Sequence, residues 1–382
     1  MKYRSWLCSL ALGLGVLTGA VSHADELPGQ LSWTAYGTGS AGYNQAVAIG
    51  SALKNQRGID LRVLPGKNDV SRQVPLRAGK VQFSATGVGA SFMAQEGVFE
   101  FGLREWGPQQ VRVLLASNGN SNLSVGVAAD IGVQSLADLK GKRVAWVVGS
   151  PSLNENVGAI LHFAGLSWDD VIKVEFPGFG ASWDGIINDQ VDAAFASTTS
   201  GKAYQLEASP RGIFWPPLPH DDQDGWARIQ SVAPFFVPNM ATIGAGLSEE
   251  NPHEGAAYPY PILITYPDRE SGLVYAMTKA MVELYPHYKD AAPGINGWAL
   301  ERQIFDWVVP YHDGAIQYFK ERGVWTDTYQ QHNDELVRRQ QILQGAWQAY
   351  NASASDDDDA FFRGWLEARR TALENAGLSP IY

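Results

Sequence analysis

Short apolar runs alternate with stretches of helical spacing along most of the chain from residue 31 to residue 208. The apolar runs are about six residues long, which is typical of buried strands. After a first strand that begins at Leu31, the predicted strands cover residues 59–64, 80–85, 111–116, 123–128, 143–148, 171–176 and 191–196. Helices are predicted at residues 70–78, 154–164, 182–188 and 202–208. This alternation predicts an α/β fold with parallel-rich sheets flanked by helices.

The pattern begins a second time after residue 120, which predicts two similar lobes with a cleft between them. In each half, a loop rich in glycine and serine follows a strand and precedes a helix, at residues 37–42 and 149–152. Ligands of open α/β sheets bind at the carboxyl ends of the strands. The cleft is therefore the expected place for a binding site.

A segment with many prolines, residues 214–266, interrupts this pattern. We predict an irregular return from lobe two to lobe one, with a re-entry strand at residues 261–266. Further helices are predicted at 271–285, 297–308 and 314–322, followed by a helical C-terminal extension at 327–350 and 360–376. The predicted domains are lobe one, from residues 25–120 and 261–382, and lobe two, from residues 121–260.

The first 24 residues resemble a secretory signal sequence. Lys2 and Arg4 precede an apolar run at 7–21 that is too short to span a bilayer comfortably, and Ser22-His23-Ala24 fits a cleavage site. The single cysteine, Cys8, lies inside this segment. We therefore expect a periplasmic protein without disulfides or thiol chemistry.

The net charge further restricts the possible partners. The chain has 40 acidic and 29 basic residues, which gives a formal net charge of −11 at pH 7. Such a charge argues against binding to nucleic acid or to an anionic membrane surface. No later apolar run has the length of a membrane span, so we expect no direct membrane insertion after the signal is removed.

The loop at residues 37–42 is the most informative segment for binding. It reads Gly-Thr-Gly-Ser-Ala-Gly and leads into a helix. Unpaired backbone N–H groups at a helix N-terminus attract anions, and glycines let the ligand approach closely. The sequence therefore predicts an anion-binding loop.

Several classes of enzyme fit the sequence poorly. The same loop matches a dinucleotide fingerprint, but Asp60 stands at the start of its strand, whereas the fingerprint needs an acid at the strand end. A hydrolase elbow needs glycines on both sides of its serine; Ser40 has Thr38 at the first position, and Ser150 is followed by Pro151. No histidine pair has metal-ligand spacing. We expect neither an enzyme nor a cofactor or metal site.

Five phrases occur in a characteristic order, at residues 36–43, 76–83, 135–144, 164–195 and 309–319. The first reads Tyr-Gly-Thr-Gly-Ser-Ala-Gly-Tyr, and the last begins Val-Pro-Tyr-His-Asp-Gly-Ala. In this order the chain resembles the solute receptors of the TAXI group of TRAP (tripartite ATP-independent periplasmic) transporters. The resemblance implies a two-lobed periplasmic binding protein fold, type II-like. It also implies closure over a small organic anion, such as an amino acid or a dicarboxylate, and delivery to membrane permease subunits.

The resemblance and the loop chemistry together suggest a ligand site with a part in each lobe. Arg72 either pairs with a ligand carboxylate or forms an ion pair with Asp69. Trp183 follows a glycine-rich turn and is a candidate for the cleft. The complete set of candidate ligand-binding residues is Gly37, Thr38, Gly39, Ser40, Tyr43, Arg72, Thr86, Ser150, Ser152, Asn154, Trp183, Ser197 and Thr198.

Departures from the family pattern fall at pocket positions. The chain reads Lys67-Asn68-Asp69 where the family often has Gly-Gly-Ser, and Pro151 interrupts the second glycine loop. The ligand is therefore expected to differ from glutamate. A binding protein of an ATP-driven importer, or a sensor with the same fold, remains an alternative, as does a periplasmic hydrolase from a different class.

Overall fold

The computed structural model of the protein describes residues 26–382. The predicted signal sequence lies outside the described residues. No helix in the described part of the chain is both long and apolar enough to cross a membrane.

Twelve strands form in the described residues. They are β1 (Gln30–Tyr36), β2 (Asp60–Gly66), β3 (Phe83–Thr86), β4 (Arg112–Ala116), β5 (Leu123–Ala128), β6 (Arg143–Val147), β7 (Ile172–Phe176), β8 (Ala193–Ser197), β9 (Ile213–Phe214), β10 (Val237–Ala241), β11 (His253–Ala257) and β12 (Ile262–Thr265).

The same residues form α-helices of three to 25 residues. They are α1 (Ala41–Arg57), α2 (Asp69–Arg77), α3 (Ala94–Glu96), α4 (Pro151–Phe163), α5 (Phe179–Ile187), α6 (Gly201–Glu207), α7 (Gln223–Val232), α8 (Ser271–Glu283), α9 (Tyr285–Tyr288), α10 (Asp313–Glu321), α11 (Asp327–Asn351) and α12 (Asp358–Asn375).

Two five-stranded sheets define the two lobes. The first has the strand order β2-β1-β3-β12-β4, and the second has the order β7-β6-β8-β5-β9. In each sheet three strands pair in parallel, as their helical crossovers require. The α/β, two-lobed architecture with flanking helices and a helical C-terminal extension is thus confirmed.

Both sheets are mixed because two strands enter directly from the other lobe. β12 runs antiparallel to β3 and β4, and β5 runs antiparallel to β8 and β9. The two chain crossings lie side by side: the Ser117 N–H donates to the Pro261 carbonyl and the Tyr260 N–H donates to the Ser117 carbonyl, each at 2.8 Å. This paired connection is the hinge between the lobes.

Two local predictions are wrong. Residues 297–308 form no α-helix; they contain short 3₁₀ turns at Ile295–Trp298 and Leu300–Arg302. Gly297 packs there against the first chain crossing, since a Cβ on it would lie 2.5 Å from Ser117 Oγ. The proline-rich segment is also more regular than predicted, because it contains α7 and a β10–β11 ribbon. Proline is tolerated in such exposed edge strands.

The C-terminal extension is attached to the first lobe by a buried group of charges. Arg339 and Arg369 of the last two helices both bond to the carboxylate of Glu96 in α3. Glu96 and Arg369 are each fully buried. The exact lobe limits at residues 25–120, 121–260 and 261–382 stay a prediction.

Candidate functional site

A cavity lies between the lobes, where the parallel strands of both sheets end. Loops after β1 and β2 form its first wall, and loops after β6 and β8 form the opposite wall. The cavity has a volume of about 30 Å³. The lobes are in contact beside this cavity, because Asp69 of lobe one is hydrogen-bonded to Ser152 of lobe two.

Six of the residues singled out from the sequence line this cavity. They are Gly37, Ser40, Arg72, Ser150, Ser152 and Ser197. The first three come from lobe one and the last three from lobe two. The structure thus brings both glycine- and serine-containing loops to one space.

An aspartate from lobe one bridges to lobe two in this site. Asp69 begins α2, is fully buried, and accepts hydrogen bonds from the Ser152 N–H at 2.9 Å and from Ser152 Oγ at 2.6 Å. Ser150 Oγ lies 3.4 Å from the same carboxylate oxygen. Ser150 and Ser152 stand at the N-terminus of α4, a position that favours negative charge. The protein's own carboxylate therefore occupies this helix end.

Of the two roles that the sequence left open for Arg72, the structure shows the ion pair with Asp69. Its guanidinium pairs with the other oxygen of Asp69, and its Nε donates to Thr86 Oγ1 at 3.1 Å. The guanidinium carbon lies 3.9 Å from the centre of the Tyr36 ring. Arg72 is only 2% exposed and lines the cavity. Nη1 has no hydrogen-bond partner within residues 26–382, so this nitrogen can donate to a ligand.

Three tyrosines surround this arginine. Tyr36 and Tyr260 are in edge-to-face contact, with ring centroids 5.1 Å apart, and Tyr258 lines the same cavity. Burial raises the pKa of Tyr36 and Tyr258 well above the usual value, and that of Tyr260 to about 12. All three hydroxyls therefore keep their protons at neutral pH and can donate to an anion.

A second polar group of the cavity has unused hydrogen-bonding capacity. Asn156 of α4 is 1% exposed and donates through Nδ2 to the Tyr258 hydroxyl at 2.8 Å. Its Oδ1 is buried and has no partner among the described residues. Buried acceptors are normally satisfied, so this oxygen is free to accept a hydrogen bond from a further donor.

The predicted lobe-one loop is built mainly by its own hydrogen bonds. Ser40 caps α1: its Oγ accepts from the Tyr43 N–H at 3.2 Å and donates to the Gly37 carbonyl at 2.8 Å. Gly39 has a left-handed backbone (φ +85°) and faces Gly201 of the other lobe. Thr38 lies in an adjoining open groove. Gly37, Ser40 and Ala41 of this loop line the cavity.

Five other predicted residues do not line the cavity. Tyr43 packs against the core, and Thr86 accepts a hydrogen bond from Arg72 through its hydroxyl. Asn154 is bonded to the backbone of Val147 through both side-chain atoms, and Thr198 donates to the Ile243 carbonyl. Trp183 is fully buried in the core of lobe two, where its Nε1 donates to the Phe195 carbonyl at 3.2 Å. The expectation that Trp183 faces the cleft is wrong, because helix α5 turns this ring inward against its own sheet.

Sequence reasoning missed several lining residues, which are Tyr36, Lys67, Asn156, Phe179, Tyr258 and Tyr260. Tyr36 directly precedes the glycine loop, and Lys67 lies in a segment already named as a pocket position, so the sequence could have indicated both as lining residues. The two hinge tyrosines lie in the proline-rich segment and carried no such signal. Lys67 is exposed at the edge of the cavity. With Arg72 and Asp69 it leaves the site with one net positive charge.

A family comparison agrees with this architecture. Residues 34–323 match the NMT1-like family. The chain belongs to this family, and fold and family together define a substrate-binding protein. The last two helices lie beyond the matched residues. No curated protein matches the sequence.

Solved periplasmic binding proteins are distant structural neighbours. PhnD1 from Prochlorococcus marinus in complex with methylphosphonate has 12% identity and a TM-score of 0.44, over 78% of this chain and 100% of that chain. The alkanesulfonate-binding protein SsuA from Xanthomonas axonopodis pv. citri bound to MOPS has 14% identity and a TM-score of 0.43, over 85% and 94%. At these values the likeness carries no information about ligand or partner.

Proposed function

We propose that this protein is the extracytoplasmic receptor of a TRAP-type secondary transporter, which binds a small organic anion between its lobes and delivers it to membrane permease subunits. The main support is Arg72: a buried guanidinium that lines the interlobe cavity and has one nitrogen without a partner among residues 26–382. Charge-assisted hydrogen bonds of this type are among the strong ones. The tyrosine hydroxyls add neutral donors around the same space.

Binding would be coupled to closure at the hinge. Both lobes line the cavity and are joined by hydrogen bonds between Asp69 and Ser152, so a ligand would enter while the lobes are apart and be held when they meet. The closed form gains contacts from both lobes, and this difference in affinity shifts the population toward it. A permease can then distinguish loaded from empty receptor by shape.

The direct test is isothermal titration calorimetry of the purified protein with organic acids and amino acids. Arg72→Lys is the diagnostic variant, because lysine keeps the charge but loses the planar fork and the stacking on Tyr36. We expect at least about tenfold weaker binding. Arg62→Lys, on an exposed part of β2, is the matched control and should leave affinity unchanged. Absence of binding by any organic anion, together with turnover of an ester or phosphate, would favour a hydrolase.

The transporter class needs a separate experiment. Uptake into vesicles that contain the permease should require the receptor and an ion gradient, and should continue without ATP. A requirement for ATP would instead assign the protein to an ATP-driven importer, and signalling without uptake would assign it to a sensor. Cell fractionation tests the proposed periplasmic location.

A further inference from the structure

Asp69 occupies the N-terminus of α4, and its carboxylate restricts the charge that a ligand can carry there. This inference rests on the proposed function. We infer that this site takes a monocarboxylate with a neutral hydrogen-bond donor at its far end. A dicarboxylate, which the family resemblance allowed, is not the expected ligand. The inference depends on Asp69 and on Asn156.

Asp69 occupies the place where a second ligand carboxylate would bind in lobe two. One of its oxygens accepts from the amide and hydroxyl of Ser152, and the other pairs with Arg72. Gly89 lies against this group, and even a Cβ there would come within 2.6 Å of Ser152 Cβ. A second anion therefore finds the donors of this helix end already used. It would also meet the negative charge of Asp69, buried in a region of low dielectric.

The balance of charge points in the same direction. Arg72 is neutralised in part by Asp69, so Lys67 supplies the excess positive charge of the site. A single ligand carboxylate balances this one positive charge. A dianion would leave one negative charge without a partner in a closed cavity, which is costly.

Asn156 indicates what the other end of the ligand carries. Its Oδ1 is a buried acceptor that has no partner in the described part of the chain, and the residue belongs to lobe two. A hydroxyl or another neutral donor satisfies it, whereas a methyl group or a carboxylate does not. The carboxylate then lies toward Arg72 and Tyr36, and the donor lies toward Asn156 and Tyr258.

The test compares three acids with the same carbon chain: butanoate, 4-hydroxybutanoate and butanedioate, with the five-carbon series beside them. Affinities are measured by calorimetry on the purified protein. We expect the hydroxy acid to bind at least tenfold more tightly than the diacid, and more tightly than the unsubstituted acid. Equal or tighter binding of the diacid overturns the inference. Equal binding of butanoate overturns the part that rests on Asn156.

Asp69→Asn and Asp69→Ser test whether this residue is responsible. Asparagine keeps the shape and removes the charge, and serine also opens space at the helix end. In either variant we expect the affinity ratio of diacid to hydroxy acid to rise at least tenfold. Asp60→Asn, an exposed aspartate bonded to Lys54, should leave the ratio unchanged. An unchanged ratio in both Asp69 variants, with folding verified by circular dichroism, overturns the assignment.

Failure of this inference differs from failure of the proposed function. If wild-type protein binds none of the six acids and no other organic anion, the receptor function itself is wrong. If it binds organic anions but prefers diacids, the receptor function stands and only the restriction on charge is lost. Should both Asp69 variants fail to fold, the wild-type ratio alone decides.

Discussion

Asp69 and Ser152 lie on opposite lobes, and two hydrogen bonds join them across the cleft. The carboxylate of Asp69 accepts from the backbone N–H and the hydroxyl of Ser152, at 2.9 and 2.6 Å. Hydrogen bonds to a charged group contribute about 1.5–3 kcal/mol each when both partners are buried. This pair stabilises the closed arrangement through the protein's own groups, and the ligand need only supply the rest.

The first prediction concerns Gly89, which allows Asp69 and Ser152 to meet. A Cβ at this position would overlap the Asp69 carboxylate and lie 2.6 Å from Ser152 Cβ. We expect Gly89→Ala to separate the lobes and to destabilise the closed form by about 1–3 kcal/mol. Small-angle X-ray scattering should show a larger radius of gyration, and thermal melting a lower midpoint.

Gly345→Ala is the control for Gly89→Ala. Gly345 lies inside α11, and a Cβ there meets no atom within 4 Å. Alanine should leave the scattering unchanged and raise stability by up to about 1 kcal/mol, because it is the better helix former. An unchanged radius of gyration for Gly89→Ala would contradict the bridging role of Asp69 and Ser152.

A second prediction concerns the pH dependence of stability. Burial, together with the nearby carboxylate of Glu100, raises the pKa of Glu155 in α4 from 4.5 to about 7. In the unfolded chain Glu155 loses its proton near pH 4.5, whereas in the folded protein it keeps the proton up to about pH 7. The folded state therefore loses stability as pH rises through this window, and the loss is complete above pH 7.

Glu155→Gln should remove this loss. We expect the variant to be more stable than wild type at pH 8 by about 1 kcal/mol, since one pKa unit corresponds to about 1.4 kcal/mol and partial exposure screens the effect. At pH 4 the two proteins should melt alike. Urea denaturation at pH 4, 6 and 8 measures the difference. A constant difference at all three pH values would exclude titration of Glu155 as its cause.

The third prediction compares two neighbouring arginines of α12. Arg369 is fully buried against Glu96, whereas Arg370 forms exposed pairs with Glu367 and Glu374. We expect Arg369→Ala to lower the free energy of unfolding by about 3–5 kcal/mol, because within residues 26–382 it leaves Arg339 as the only charged partner of the buried carboxylate. Arg370→Ala should cost less than about 1 kcal/mol. Urea denaturation of both variants decides, and equal effects would show that the extension is not held by this charge group.

The fourth prediction compares an aromatic residue of the core with one that lines the cavity. Trp183 is buried in lobe two away from the cavity, and Phe179 lines the cavity. Trp183→Phe should lower stability by about 1–3 kcal/mol through lost volume and a lost hydrogen bond to Phe195, with ligand affinity unchanged. Phe179→Ala should weaken binding with a smaller effect on stability. Titration calorimetry of both variants, with an organic anion that the wild-type protein binds, tests these expectations. Weaker binding by Trp183→Phe would place that ring in the site.

Much of the architecture follows from local patterns. Apolar runs of strand length are retained as β2 to β8, and the glycine and serine loops stand at strand ends because that is where the chain turns into a helix. Such features depend on neighbours within a few residues, so the sequence alone can indicate them. The helix predicted at residues 297–308 failed because contact with the first chain crossing, 180 residues earlier in the chain, fixed a different backbone.

The binding site depended on the tertiary structure to a larger degree. The sequence by itself determined that polar loops follow the strands of two lobes and that Arg72 and Asp69 lie one helical turn apart. Only the folded chain decided that Asp69 crosses to Ser152, that Tyr258 and Tyr260 enter from the hinge, and that Trp183 turns into the core. The physical reason is that these contacts join residues distant in sequence, and their geometry is set by how two separately patterned lobes close on one another.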